Sequence, residues 1–262
     1  MIETVIEVKV DLSSLMRWDK LREVERIISS KINVCYPRDW DEDFITRTWL
    51  SALIASGPKL LFPSGKVQVA WDAYKMTKSS ETKYGDVAFV VKVSFQANKD
   101  LTGVGFLEAK RIYSNGKFNS LCWRQLGRML RNARQHHLLL YDYQPQSNLQ
   151  RGFGNFFCCD ELYFDGGSPA TVLPSRHALT IRSKDRSLET FAYPLSKQIV
   201  LRYFRGLDLN FNPKMVEEVL SGIPGGVKFL IVAHALLSDE AGEASLESIQ
   251  PRGDSGFIRL EE

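Results

Sequence analysis

The chain has 262 residues, of which 44% are hydrophobic and 25% are charged, so it holds enough apolar material for a sizeable core. Its 34 basic and 31 acidic side chains leave a net charge of only +3, which argues against a protein that binds nucleic acid by charge alone. No apolar run approaches the ~18 residues of a membrane span, and Glu3 stands where a signal peptide carries basic residues, so we expect a cytoplasmic protein.

Hydrophobic periodicity predicts alternating strands and helices through the first 143 residues. Strands are predicted from period-two alternation or short apolar runs over residues 4–10, 66–76, 84–95, 104–112 and 138–143. Helices are predicted from 3.6-residue periodicity over residues 17–30, 44–55 and 118–137. The second helix follows the acidic run 39–43, and acids suit the positive end of a helix dipole.

The remaining residues give a weaker pattern. After a glycine-containing loop over 145–167, we predict short strands, two helices and one longer strand, over residues 177–182, 188–193, 195–205, 212–220 and 227–237. The acidic stretch 238–255 is typical of a loop. One compact domain is favoured, in which residues 1–37 form an N-terminal extension, 38–143 the core and 144–262 an elaboration packed on that core.

The four cysteines give no sign of a zinc site. They are Cys35, Cys122, Cys158 and Cys159, and no CxxC pair occurs among them. Zinc sites use paired short spacings, so we expect buried free thiols.

Three charged residues on two neighbouring strands carry the chemistry. Side chains alternate along a strand, so Glu108 and Lys110 share one face, and an antiparallel hairpin would place Asp86 beside Glu108. Two adjacent carboxylates repel unless a cation neutralises them. Mg²⁺ takes oxygen ligands, and these two acids with the Ala109 carbonyl would suffice. Lys110 would orient a water or help to deprotonate it. A cation and such a lysine together supply what phosphodiester hydrolysis needs.

This arrangement resembles the motif of the PD-(D/E)xK, or restriction-endonuclease-like, nuclease superfamily. Asp86 followed by Glu108-Ala109-Lys110 matches the motif, and the order of elements over residues 38–143 is similar too. The resemblance implies an α/β (α+β) fold, with a central mixed four-stranded sheet flanked by helices and a C-terminal elaboration. One departure is that Gly85 stands where the superfamily has proline.

The resemblance also implies accessory residues and a metal. The leading helix would supply a further acid, for which Glu42 is the first choice and Asp43 the second, and the helix after the motif would supply Gln125. The cofactor would be Mg²⁺, and Mn²⁺ is expected to substitute. If these residues have no catalytic role, Glu108 and Lys110 form a surface ion pair that contributes little to stability. That alternative leaves the presence of Asp86 on an apolar strand unexplained.

A basic stripe follows the predicted helix 118–137. Arg124, Arg128, Arg131 and Gln135 fall on one helical face, where the arginines would contact phosphates and position a duplex without reading its bases. An ordinary solvated face is an equally good interpretation. The pair His136-His137 is predicted to end this helix, where positive charge is favoured by the dipole.

Other patterns are weaker. Residues 151–157 interleave glycines and aromatics, which suggests either a substrate loop whose aromatics stack on bases or a turn before a core strand. Trp40, Trp49 and Trp123 are assigned to the core or to packing of a substrate groove. A triad of Ser175, His177 and Asp160 is disfavoured because no Gly-x-Ser-x-Gly elbow occurs, and neither a P-loop nor a Rossmann fingerprint is found.

The function expected from these residues is a Mg²⁺-dependent DNA endonuclease, acting as the nuclease effector subunit of a prokaryotic anti-phage defence or restriction system. Two alternatives stay open, a catalytically inactive nuclease-fold binding or assembly module and a stand-alone type II-like restriction enzyme. RNA is also open as a substrate. The expected partners are DNA, a second or further copy of the chain and a sensor or motor protein, with no membrane.

Overall fold

The computed structural model describes residues 18–57, 59–61, 68–77, 83–95, 99–145, 167–222, 226–237 and 243–260. The predicted strand 4–10, the aromatic run 151–157, Asp160 and the two adjacent cysteines lie outside these residues. Cys35 and Cys122 are free thiols as expected, but only Cys35 is buried, whereas Cys122, just before α3, is exposed.

Six α-helices occur among the described residues: α1 Trp18–Asn33, α2 Glu42–Ala55, α3 Trp123–Asn132, α4 Ser175–Ile181, α5 Leu195–Lys197 and α6 Pro213–Leu220. The chain continues from α5 through a π-helical turn, Gln198–Arg202, and a 3₁₀ turn, Tyr203–Arg205, so the predicted helical stretch 195–205 is confirmed. The N-cap of α6 is Asn212, whose side chain accepts from the Lys214 N–H, and Pro213 occupies its first turn as expected.

The strands are β1 Lys59–Leu61, β2 Gln68–Met76, β3 Val87–Ser94, β4 Asp100–Arg111, β5 His136–Tyr141, β6 Ala170–Pro174, β7 Tyr193–Pro194, β8 Phe229–Leu236 and β9 Phe257–Arg259. All nine belong to one sheet in the order β1-β2-β8-β3-β4-β5-β6-β7, and β9 pairs with β2. The pairs β3–β8 and β4–β5 are parallel and the other pairs are antiparallel, so the sheet is mixed.

The predicted mixed α/β class, with helices flanking a sheet, is confirmed, whereas a sheet of four strands is wrong. It is too small because β1 was not predicted, and because β6, β7, β8 and β9 all come from the segment after residue 143 and join the same sheet. Strand β8 lies between β2 and β3, where it runs antiparallel to one and parallel to the other. The C-terminal segment therefore contributes a central strand.

Apolar side chains cover both faces of the sheet. On one face, the predicted apolar stripe of α1, which is Leu21, Val24 and Ile28, packs with Trp49 of α2 in a continuous core cluster. On the other face, α6 packs its valines in a second cluster. Full burial of each such side chain stabilises the fold by roughly 1.5–3 kcal/mol.

Two predicted elements take another form. The helix predicted over 118–137 is only Trp123–Asn132, because the residues from His136 form β5 and pair in parallel with β4. His136 and His137 therefore begin a buried strand instead of ending a helix, and they are 2% and 5% exposed. Residues 177–182 form most of α4 and not a strand, since the chain turns at Pro174 where β6 ends. Most of 188–193 is a 3₁₀ turn, Arg186–Phe191, capped by Asp185.

Within the described ranges, no helix combines the length and the apolar character that crossing a membrane requires.

Candidate active site

Asp86 is fixed at the start of the β3–β4 hairpin. Its N–H donates to the Leu107 carbonyl at 2.9 Å, and its Oδ2 accepts from the Ala109 N–H at 2.9 Å. The antiparallel register pairs Val87 with Leu107, so Asp86, which directly precedes β3, lies beside Glu108 on β4. The hairpin predicted from the sequence is thus confirmed, and it brings the two carboxylates of the motif to one place.

Gly85, which directly precedes Asp86, has a backbone conformation that excludes proline. Its backbone φ is +112°. Residues with a side chain rarely adopt this angle, and proline, whose ring fixes φ near −65°, cannot reach it. A Cβ at this position would lie 2.8 Å from the Leu107 carbonyl oxygen. The backbone here requires glycine, and Asp86 is aimed by the hairpin bonds and not by a preceding proline.

Glu108 and Lys110 form a buried ion pair on β4. They are 3% and 6% exposed, and Lys110 Nζ lies 2.7 Å from Glu108 Oε1. The same oxygen accepts from Gln125 Nε2 of α3 at 3.1 Å. The second oxygen, Glu108 Oε2, is buried without a hydrogen-bond partner. An unpaired buried carboxylate oxygen is costly, so this atom is available for a cation or a proton.

Glu42 approaches the pair from the first turn of α2. Asp41 caps that helix, and its side chain accepts from the N–H groups of Asp43 and Phe44. Glu42 Oε1 accepts from Ser120 Oγ at 2.8 Å and from the Arg111 N–H at 3.1 Å. Its other oxygen lies 3.8 Å from Lys110 Nζ. The acid expected from the leading helix therefore lies next to the motif lysine.

Lys228 is a charged partner that the sequence analysis missed. It directly precedes β8, and its Nζ lies 3.0 Å from Asp86 Oδ1 and 2.9 Å from Asp43 Oδ1. Its backbone N–H also donates to the Asp86 carbonyl at 2.9 Å. The available signal was a single lysine at the start of an otherwise apolar strand, which does not reveal its spatial neighbours. Asp86, Glu108, Lys110, Glu42 and Lys228 are called the carboxylate site below.

The charges in this site shift one another's protonation. Burial, and then the charge of Asp86, raise the pKa of Glu108 to about 7 despite its contact with Lys110. Burial opposes the charged form of Lys110, but the carboxylates of Glu108, Glu42 and Asp86 outweigh it and raise the pKa of the lysine. Lys228 behaves alike, since Asp86 and Asp43 outweigh burial and raise its pKa. Both lysines are therefore ammonium ions at neutral pH, so neither is a proton acceptor.

One side of helix α3 contacts the carboxylate site, and another side is exposed to solvent. Gln125 reaches Glu108, as the resemblance implied, while Arg124, Arg128 and Arg131 are exposed on the helix surface. Gln135, predicted to extend this stripe, lies beyond the end of the helix. The exposed arginines are called the arginine stripe.

Ser175 does not pair with His177 as a hydrolase triad would require. It is fully buried, and its Oγ lies 2.7 Å from Nδ1 of His136. Burial, and then the charge of His137, lower the pKa of His136 to about 3, so this imidazole is neutral and structural.

The oxygen atoms of the carboxylate site meet only part of what a hard divalent cation needs. Two carboxylates, one with an unpartnered buried oxygen, and the Ala109 carbonyl are oxygen donors of the kind that Mg²⁺ prefers. Lys228 and Lys110 already neutralise part of this charge. In the part of the chain that the structure describes, no group of three or more His, Cys, Asp or Glu side chains is placed to hold a metal by itself. Water or substrate oxygens would have to complete the coordination.

Comparisons with protein-family models, with curated proteins and with solved structures gave no match for this chain. Its function is therefore argued from the geometry of these side chains.

Proposed function

We propose that this protein is a Mg²⁺-dependent endonuclease of the PD-(D/E)xK type that hydrolyses phosphodiester bonds in DNA, on a restriction-endonuclease-like core. The observation that carries the proposal is the burial of Asp86, Glu108 and Lys110 together where β3 meets β4, with one Glu108 oxygen unpartnered. Buried titratable groups with perturbed pKa values are typical of active sites. An ordinary surface ion pair would be exposed to solvent.

Asp86, Glu108 and the Ala109 carbonyl would hold the cation, and Mn²⁺ is expected to replace Mg²⁺. When bound, the cation would polarise a phosphoryl oxygen and lower the pKa of a coordinated water. Gln125 donates to Glu108 and thereby orients its carboxylate. Lys228 holds Asp86 through its Oδ1.

Lys110 acts as a hydrogen-bond donor in this proposal. As an ammonium ion, it would orient the attacking water and stabilise the negative charge that develops on the phosphate. Glu42, next to Lys110 and held by Ser120, would accept a hydrogen bond from that water. The arginine stripe would contact backbone phosphates and position the strand.

The proposed setting is a cytoplasmic nuclease effector of a prokaryotic anti-phage defence or restriction system. A net charge of +3 equips the chain poorly to bind DNA unaided, which favours activation by a sensor or motor protein. Cleavage of both strands needs two active sites, so a homodimer or higher oligomer is expected. If the purified protein alone cuts unmodified DNA into discrete fragments, it is a stand-alone type II-like restriction enzyme instead.

The test is cleavage of supercoiled plasmid with Mg²⁺, with Mn²⁺ and with EDTA. We expect nicking or linearisation with either metal and none with EDTA. Asp86→Asn, Glu108→Gln and Lys110→Met should each lower the rate by about 100-fold or more, since losing one group that stabilises charge in the transition state costs about 10²–10³-fold. Lys83→Met is the matched control, because Lys83 forms an exposed ion pair with Glu218. Activity that survives both Asp86→Asn and Lys110→Met contradicts the proposal.

A second candidate is a catalytically inactive nuclease fold that serves as a binding or assembly module. It is favoured by Lys228, which bridges Asp86 and Asp43 and so supplies a cation within the protein itself. The two candidates differ in metal binding. A calorimetric titration that detects neither Mg²⁺ nor Mn²⁺ binding would support the module, whereas binding that Asp86→Asn removes supports the enzyme.

A further inference from the structure

A cluster of aromatic rings forms an open groove beside the carboxylate site. A cavity of about 510 Å³ is lined by Tyr36, Trp40, Phe44, Arg111 and Tyr143 with their neighbours. This volume lies within the ~300–1,000 Å³ of sites that take small organic ligands. These five residues are called the aromatic groove.

The rings in the groove are held rigidly. Tyr36 stacks on Tyr143 with centroids 4.0 Å apart and planes 10° apart, and Trp40 meets both rings edge-on at 5.7 Å. Trp40 Nε1 donates to the Ile112 carbonyl at 2.8 Å, which fixes the floor of the groove. A preformed stack of this kind loses little conformational entropy when another flat ring is added.

The rim of the groove exposes aromatic surface to solvent. Tyr36 is 42% exposed and Phe44, on the first turn of α2, is 45% exposed, although the floor residue Trp40 is 7% exposed. Large apolar side chains that cluster at a concave surface mark binding sites more often than scattered ones do. The exposed face of Tyr36 is thus a surface on which a planar ligand can stack.

Aromatic rings interleaved with arginines favour a nucleic-acid strand as the occupant. The Arg111 guanidinium lies 4.2 Å above the Tyr113 ring, and Arg38 also lines the cavity. Asp39 and Asp41 line it too and balance the two arginines in charge, although Asp41 is engaged by the N-terminus of α2, so ring stacking and not net charge would hold the strand. Aromatic faces interleaved with arginines are the chemistry that binds single-stranded nucleic acid, in which bases stack and phosphates pair with cations.

The groove adjoins the carboxylate site through the chain. Arg111 directly follows Lys110, and its N–H donates to Glu42 at 3.1 Å. Asp41, the cap of α2, directly precedes Glu42. The side chains of Lys110 and Arg111 leave β4 on opposite faces, so a strand bound at the carboxylate site would reach the groove with nucleotides that pass the end of β4.

We infer that the aromatic groove stacks unpaired bases, so that the preferred substrate is single-stranded nucleic acid or a duplex with splayed bases next to the cleavage point. For the substrate class, this inference rests on the proposed nuclease function. Base stacking itself requires neither a metal nor catalysis, so it can be measured independently.

The experiment is fluorescence anisotropy of a fluorescein-labelled oligothymidylate in EDTA, with the matching duplex as competitor. Wild-type protein should bind the single strand more tightly than the duplex. Tyr36→Ala and Phe44→Ala should each weaken binding by about 5-fold or more, the scale of one lost stacking contact. Tyr36→Phe should keep the affinity, because it keeps the ring.

Phe95→Ala is the matched control, since Phe95 is 40% exposed and is not among the residues that line the cavity. Equal affinities for wild type, Tyr36→Ala and Phe44→Ala would overturn the inference, as would binding of a proline-rich peptide but not of oligothymidylate. The outcome is separable from the nuclease proposal. If the groove variants lose binding but the protein does not cleave plasmid, the stacking inference holds and the nuclease proposal fails. If the protein cleaves plasmid but the groove variants bind as wild type does, the nuclease proposal holds and the stacking inference fails.

Discussion

Lys228 links two carboxylates that come from different elements. Asp43 lies in the first turn of α2 and Asp86 just before β3, and a single ammonium group contacts both. Asp86 is nearly buried, whereas the Asp43 side chain is 39% exposed. The lysine therefore acts mainly as the internal counter-ion of Asp86, in the position where a bound cation would also neutralise it.

Replacing Lys228 by methionine should destabilise the metal-free protein and make it more sensitive to Mg²⁺. Loss of one partner of a fully buried pair costs about 3–5 kcal/mol. Because Asp43 is partly solvated, we expect a loss of about 2 kcal/mol in the free energy of unfolding. Millimolar Mg²⁺ should recover more of this stability in the variant than it adds to wild type. Urea unfolding with and without Mg²⁺ measures both effects.

Lys83→Met serves as the comparison, since it removes an exposed pair with Glu218 outside the carboxylate site. It should cost less than about 1 kcal/mol and leave the response to Mg²⁺ unchanged. An equal gain from Mg²⁺ in wild type and Lys228→Met would show that the lysine and a cation do not serve the same carboxylate.

Helix α3 shows what periodicity predicts at the scale of an element. The exposure of Arg124, Arg128 and Arg131 follows from the 3.6-residue repeat and agrees with the structure. The contact of Gln125 with Glu108 was expected from the family resemblance instead. The predicted end of the helix, at residue 137, was wrong because the residues from 136 form β5 and pair with β4. Local sequence determines which face of an element is polar, whereas a tertiary strand pairing decides where the element ends.

Neutralising the arginine stripe should weaken DNA binding by removing phosphate contacts. Replacing Arg124, Arg128 and Arg131 together by glutamine should make the plot of log affinity against log salt less steep by about 2 to 3, since each phosphate contact contributes about 0.9 to the slope for duplex DNA. Anisotropy titrations of a labelled duplex in EDTA over a salt series measure it. A triple glutamine variant of Arg22, Arg26 and Lys31 on α1 should keep the wild-type slope. If both triple variants lose equal slope, binding reflects overall charge and not the stripe.

At the scale of the whole molecule, the sheet order is the feature that the sequence could not predict. The hairpin of β3 and β4 was predictable because a short turn joins two alternating strands, and with it the meeting of Asp86 and Glu108. Strand β8 was predicted as a strand, but alternation does not identify its neighbours, and it pairs with β2 and β3 from more than 130 residues along the chain. Lys228 was missed for the same reason.

Stability of the whole fold should fall in mild acid because of two histidines buried at the start of β5, although Glu108, whose pKa is raised to about 7, opposes part of this loss by taking up a proton in the folded protein. Burial lowers the pKa of His136 to about 3 and that of His137 to about 4, and the carboxylate of Asp208 only partly opposes this for His137. In the unfolded chain, both take up a proton near pH 6.5. The stability that depends on their neutral form is thus complete above about pH 6.5 and is lost as the pH falls toward about 4 and then about 3.

Each histidine should contribute up to about 1.4 kcal/mol per pH unit to this loss, since the unfolded state binds the additional proton over the whole interval. Urea unfolding between about pH 7 and about pH 5 gives the slope of the unfolding free energy against pH. His137→Gln should remove one of the two contributions and flatten the slope by up to that amount, whatever its effect on stability at neutral pH. Because Nδ1 of His137 is buried without a hydrogen-bond partner, the substitution breaks no bond at that atom. An unchanged slope in His137→Gln would mean that its imidazole is protonated as readily in the folded protein as in water, which the burial of β5 on both faces argues against.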